Sequence, residues 1–183
     1  APPSIISVYI GDDLQNVIDN FVAGNSSNVA QKQFIDTGVN YLAELSKDTS
    51  DRNRTSPFAF TGNKFEFRMV GSSATLSNPN TTINTIVAEM FARIANELES
   101  VSESERQDKV IEIIKRLYEE HKRVIFNGNN YSKEWLREAK KRGLNNITNC
   151  IDAYESLTTP KSVELFGKHK VMSEVELQSR REI

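Results

Sequence analysis

The period of the apolar positions changes along the chain, and each change marks an element. Strict alternation runs through Lys64-Phe65-Glu66-Phe67-Arg68-Met69-Val70. It sends Phe65, Phe67 and Met69 to one face and Lys64, Glu66 and Arg68 to the other, as in a strand with one apolar and one ionic side. A shorter strand is predicted over residues 3–10, where β-branched and aromatic types lie between Pro2-Pro3 and Gly11. Asp12 or Asp13 then caps a predicted helix with Leu14, Val17, Ile18 and Phe21 on one side. Apolar residues at 35, 39, 42 and 45 predict a further helix over Phe34 to Leu45, before the polar, loop-like run Ser46 to Thr55.

From Asn78-Pro79 onward the three- and four-residue spacing of helices takes over. Ile83, Ile86, Val87, Met90, Phe91, Ile94 and Leu98 form one stripe behind an Asn cap with Pro at the first position. Ser102 and Glu105 supply a capping box for a second helix carrying Val110, Ile113, Ile114, Leu117, His121 and Val124, and the two are predicted to pair as a hairpin. After the turn Asn127-Gly128-Asn129-Asn130, Ser132 starts a short helix anchored by Trp135 and Leu136. It ends in Lys140, Lys141 and Arg142 before Gly143, with cations at its negative end. The same grammar recurs over Thr159-Pro160 to Gly167 and over Ser173 to Arg181, where Ser173 and Glu176 form another capping box. The fold class is therefore α+β: a few antiparallel strands at the amino end, then mostly helix.

Composition narrows the function classes. The 183 residues are 38% hydrophobic and 26% charged, ordinary for a globular chain and too apolar for a disordered one. Twenty-three Lys and Arg against 25 Asp and Glu leave a net charge of −2, which favours neither a nucleic-acid nor a membrane partner. One cysteine, Cys150, excludes an internal disulfide, and without a leader or long apolar run the expected location is the cytoplasm. Cys150 shares a helical pattern with Ile147, Ile151 and Tyr154 and is expected in the core. Both histidines, His121 and His169, read as structural or solvated. The chain opens on Ala1-Pro2-Pro3 without Met and stops within a helical pattern, which suggests a piece of a longer protein.

Chemistry concentrates before and on the alternating strand. Glu66 and Arg68 are two residues apart, so their Cα atoms lie about 6.6 Å apart and their side chains share a face. Alone, that is also the pattern of a solvated face with ion pairs. Asp51-Arg52-Asn53-Arg54-Thr55 adds two guanidiniums, the group suited to bidentate grip on phosphate or carboxylate. The combination would suit a metal–phosphate site.

The stretch Asn53-Arg54-Thr55-Ser56-Pro57-Phe58-Ala59-Phe60-Thr61-Gly62-Asn63-Lys64-Phe65-Glu66-Phe67-Arg68 resembles glutamine synthetase in its type III form. That family places an Asn-Arg-Ser/Thr loop before a strand with Glu-x-Arg and an Asn-Pro-like turn opening a long helix, here Asn78-Pro79. Ala1-Pro2 looks like the end of its Glu-Ala-Pro segment. Phe126-Asn127-Gly128-Asn129, Glu134-Trp135 to Gly143, and Leu165-Phe166-Gly167 to Arg181 also look like the type III branch.

The resemblance implies an ATP-dependent ligase that forms glutamine from glutamate and ammonia through a glutamyl phosphate. Residue by residue, it implies that Glu66 ligates Mg²⁺ or Mn²⁺, that Arg68 contacts glutamate and the transferring phosphoryl group, and that Arg54 serves the phosphate site. Lys64 matches a nucleotide-side position where other branches carry Arg, and Ala59 replaces another arginine there. The whole of 1–183 then reads as part of a catalytic domain, with a strand and active-site part over 1–100 and a helical part over 101–183. Residues 11–49 look inserted. The family's other metal-binding glutamates and its histidine have no match, so the piece alone is expected to be inactive. The parent is expected to be a ring-shaped dodecamer, and the exposed strand edges could self-associate. The competing reading is a non-enzymatic helical module for protein interaction.

Overall fold

Three short strands meet at Ala59, which is fully buried. In the computed structural model, residues 5–24, 34–35, 45–46 and 55–182 are described. The strands are β1 (Val8–Tyr9), β4 (Phe58–Phe60) and β5 (Phe65–Phe67), in the order β1-β4-β5. The sheet is mixed rather than wholly antiparallel: β4 and β5 form a hairpin, but β1 runs parallel to β4. A parallel partner needs a long crossover, and 48 residues of sequence separate Tyr9 from Phe58. The alternating run 64–70 yields only three paired residues, because the hairpin closes at Thr61, whose N–H donates to the Lys64 carbonyl at 2.8 Å.

The chain divides into two compact units. The first comprises Ala1–Met69 and His121–Asn145. Besides the sheet it contains α1 (Gly11–Val22) and α4 (Lys133–Lys141). It also contains β2 (Phe34–Ile35) and β3 (Leu45–Ser46), an antiparallel pair at the two ends of the segment whose spacing predicts a helix. Cross-strand pairing overrides helical periodicity at these ends. The core of this unit gathers Ile5, Trp135 and Ala139, with Phe126 and Leu144 against them. Phe126 and Trp135 stack with ring centroids 4.0 Å apart, worth about 0.5–1.5 kcal/mol beyond the area buried. Trp135 anchors α4 as its sequence suggests, whereas Leu136 is exposed. Gly128 permits the stack: a Cβ there would come within 2.5 Å of the Phe126 ring.

The second unit, Val70–Glu120 and Asn146–Ile183, is helical. It holds α2 (Ser77–Glu99), α3 (Arg106–His121, save its last residue), α5 (Cys150–Tyr154), α6 (Pro160–Lys168) and α7 (Glu174–Glu182). Glu97 of α2 accepts from Arg116 at 2.6 Å and lies 3.9 Å from Lys109, tying α2 to α3. The capping boxes at Ser102/Glu105 and Ser173/Glu176 both form. Helix α2 starts a residue before Asn78, behind Leu76, so Asn78 lies in the first turn instead of capping it. Cys150 is exposed, not in the core. It begins a five-residue helix whose next apolar residue, Ile151, is 78% exposed, so its periodic face is left open by the described residues.

Candidate active site

Glu66 occupies the middle of β5, opposite Ala59, which is itself opposite Tyr9 of β1. Residues in register share a face, so Tyr9, Ala59 and Glu66 form one row. The other face carries Phe58, Phe60, Phe65 and Phe67, with ring centroids 5.2–6.3 Å apart. The ionic and aromatic sides of the strand are thus separated, because hairpin register puts Phe opposite Phe and small Ala59 opposite Glu66.

On the ionic side, Arg68 donates to Oε2 of Glu66 through Nε at 3.2 Å and Nη2 at 3.1 Å. Lys64 Nζ lies 3.3 Å from Oε1. Lys64 is largely exposed and Arg68 largely covered. The Arg68 hydrogen bonds, and after them the Lys64 contact, hold the Glu66 carboxyl below its ordinary value of 4.5, against a smaller desolvation effect. The Arg68 backbone is fixed as well: its N–H donates to the Pro57 carbonyl at 2.8 Å, just ahead of β4.

Three of the four residues singled out from the sequence, Lys64, Glu66 and Arg68, therefore meet around one carboxylate. The fourth, Arg54, lies outside the described residues, with Asn53. Thr55 follows directly, and its carbonyl accepts the Asn130 N–H at 3.1 Å.

A carboxylate oxygen kept ionised to low pH is a suitable donor for a hard divalent cation, but Mg²⁺ takes about six oxygens and one side chain is not a site. Among the described residues no group of three or more His, Cys, Asp or Glu could hold a metal ion. Completing such a centre requires donors beyond these. His121 is an exposed helix end. His169 belongs to a different cluster, in which Glu89 of α2 meets Arg93 at 2.6 Å, Lys168 at 2.7 Å and His169 at 2.8 Å.

Sequence reasoning passed over Asn127, Asn130 and Glu89. Asn127 Oδ1 accepts from the backbone N–H of Ile10 at 3.0 Å and of Gly11 at 3.1 Å, so Asn127 caps the start of α1, while Asp12 and Asp13 lie inside its first turn and not at the cap position. Asn130 is buried and donates through Nδ2 to Ser7 Oγ at 2.5 Å. Their shared segment reads locally as a turn, and composition carries no sign of partners more than a hundred residues away. Glu89 falls beside the apolar Met90-Phe91 pair, and besides Arg93 on its own helix its partners, Lys168 and His169, come from the end of α6 and the turn after it.

Residues 109–183 match the family described as "Glutamine synthetase C-terminal domain". All of the chain aligns with the "Type-3 glutamine synthetase" of Dictyostelium discoideum at 45% identity, covering 25% of that protein. All of it also aligns with the "Glutamine synthetase" of Butyrivibrio fibrisolvens at 39% and of Bacteroides fragilis at 33%, covering 26% of each. The chain thus spans about a quarter of the length of the relatives it matches. The chain is therefore similar to glutamine synthetases along its whole length, and its carboxy-terminal part matches the C-terminal domain of that family.

Proposed function

We propose that residues 1–183 are part of the catalytic domain of an ATP-dependent glutamate–ammonia ligase, and that they supply one metal ligand and the guanidinium side of its active site. The observation that carries this reading is the Glu66–Arg68 pair, with acid and guanidinium in contact on one side of β5, within a chain similar to glutamine synthetases throughout. Glu66 offers an oxygen to Mg²⁺ or Mn²⁺, with the remaining ligands coming from the rest of the longer protein. Arg68 grips the substrate glutamate and the phosphoryl group in transfer. Arg54 serves the phosphate site, and Lys64 the nucleotide side.

The charges make sense of these assignments. Glutamate and ATP are both anionic, and the γ-carboxylate can attack the γ-phosphorus only where cations offset their repulsion. Attack forms the O–P bond of γ-glutamyl phosphate and releases ADP. Ammonia then adds at the acyl carbon, loses a proton and expels phosphate, leaving glutamine. When bound, the divalent cation neutralises charge on the phosphates. Arg68, whose guanidinium is already oriented by Glu66, contributes a positioned positive charge beside it. A ring-shaped homo-oligomer belongs to the same reading, and the isolated chain is inactive for want of the other ligands.

The test uses the full-length protein. Glu66→Ala and Arg68→Ala should each abolish glutamine formation from glutamate, ammonia and ATP, with the thermal unfolding midpoint retained. Turnover at the wild-type rate in both variants would reject the roles given to Glu66 and Arg68, and no glutamine formation by the full-length wild type would reject the enzyme reading in favour of a non-catalytic helical module.

A further inference from the structure

Two facts about β1 raise a question of register. It pairs with β4 over only two residues, and parallel ladders are the weaker kind, so backbone bonds alone specify poorly which residue lies opposite Ala59. A slip there would take Tyr9 out of the row with Ala59 and Glu66 and change which part of β1 backs the strands that carry the ionic cluster.

We infer that Asn130 is a positioning residue for Arg68 and Glu66: it fixes β1 against the start of β4 and so sets where the ionic cluster stands. This rests on the function proposed above. Asn130 is fully buried, and so are Ser7 and Ser56. Its Nδ2 donates to Ser7 Oγ, one residue before β1, while its backbone N–H donates to the carbonyl of Thr55, three residues before β4. Two residues after Thr55, the Pro57 carbonyl accepts the Arg68 N–H. The path from Asn130 to the Arg68 backbone therefore runs through two hydrogen bonds and one short piece of chain.

The neighbouring segment strengthens the clamp. Phe126 N–H donates to the Val8 carbonyl at 2.9 Å, and Ile125 bridges Val8 in parallel. These are backbone contacts that tolerate sliding by a residue pair, whereas a buried amide on a buried hydroxyl does not. Asn130 Oδ1 meets no hydrogen-bond partner among the described residues. A side chain with one bond made and one buried acceptor unmet is a poor device for stability alone.

The test is a double-mutant cycle in the full-length enzyme, reading kcat/KM for glutamate and the unfolding midpoint of each variant. Arg68→Lys serves as the background, since it keeps the charge and leaves turnover to measure. Asn130→Ala should lower kcat/KM about tenfold, in line with the cost of small misplacements of catalytic groups. In the Arg68→Lys background the same substitution should lower it less than about twofold, because residues acting through one another are not additive. The midpoint should fall equally in both backgrounds. Should Asn130→Ala fail to fold, Ser7→Ala removes the same hydrogen bond with a smaller change and should give the same pattern. Equal fold-losses of kcat/KM in both backgrounds, or no loss in either, would overturn the inference. Wild-type turnover in Arg68→Lys would instead overturn the proposed site.

Discussion

Glu66 shows how much one residue's neighbours decide. Its carboxyl is held below 4.5 chiefly by Arg68 and secondarily by Lys64, so it is ionised throughout the neutral range. A lowered folded value means that these contacts favour the folded state at pH above 4.5 and cease to do so as pH falls through the folded value. Arg68→Met should therefore raise the Glu66 titration midpoint more than Lys64→Met, followed by the carboxyl carbon shift of Glu66 against pH. A larger rise on loss of Lys64 would mean that the exposed cation dominates. The shared face of Glu66 and Arg68 was legible in the sequence because alternation dictates it. The exposure of Cys150 was not, because helical spacing says which residues share a face but not whether anything covers it.

At the scale of elements, local signals served best where the partners are local. Both capping boxes, Ser132 as the cap of α4 and Thr159 ahead of Pro160 were readable, since a side chain satisfying an N–H two or three residues away depends on spacing alone. The Glu89 cluster depends instead on which helix packs against which. Only 8% exposed and bonded to Arg93, Lys168 and His169, Glu89 links α2 to α6 and the turn beyond, and those contacts, Lys168 foremost, bring its pKa to about 2. The stability it contributes is fully present above 4.5 and is lost as pH falls from there toward about 2. Glu89→Gln should accordingly be less stable than the wild type at neutral pH, with the gap closing over that acid window in a pH series of urea denaturations. A gap unchanged across the window would mean that the charge of Glu89 contributes nothing.

Across the whole molecule, the chain leaves the first unit at residue 70 and returns to it at 121. That return brings Asn127 to the start of α1, across 116 residues of sequence. Gly11 takes a left-handed conformation there (φ 77°), which a side chain would strain, and its N–H meets the Asn127 oxygen. Loss of this remote cap in Asn127→Ala should cost about 0.5–2 kcal/mol, the range for helix caps. Urea denaturation measures the total, and hydrogen exchange should locate it at the Ile10 and Gly11 amides; unchanged exchange there would refute the role. No helix among the described residues is long and apolar enough to cross a membrane.

What the residues determined by themselves was whatever depends on periodicity and near neighbours: the two faces of the strand around Glu66, the helices from 77 onward with the caps at Ser102, Ser132, Thr159 and Ser173, the α+β class, and a motif over 53–68 specific enough to suggest the family. Tertiary structure alone decided the parallel placement of β1, the pairing of Phe34–Ile35 with Leu45–Ser46, the cations around Glu89, and the reach of Asn127 and Asn130 into the amino-terminal strand and helix. The physical reason is the same in each case. A hydrogen bond or ion pair between distant residues depends on closing the chain between them, and nothing in the local order of side chains records which loops will close.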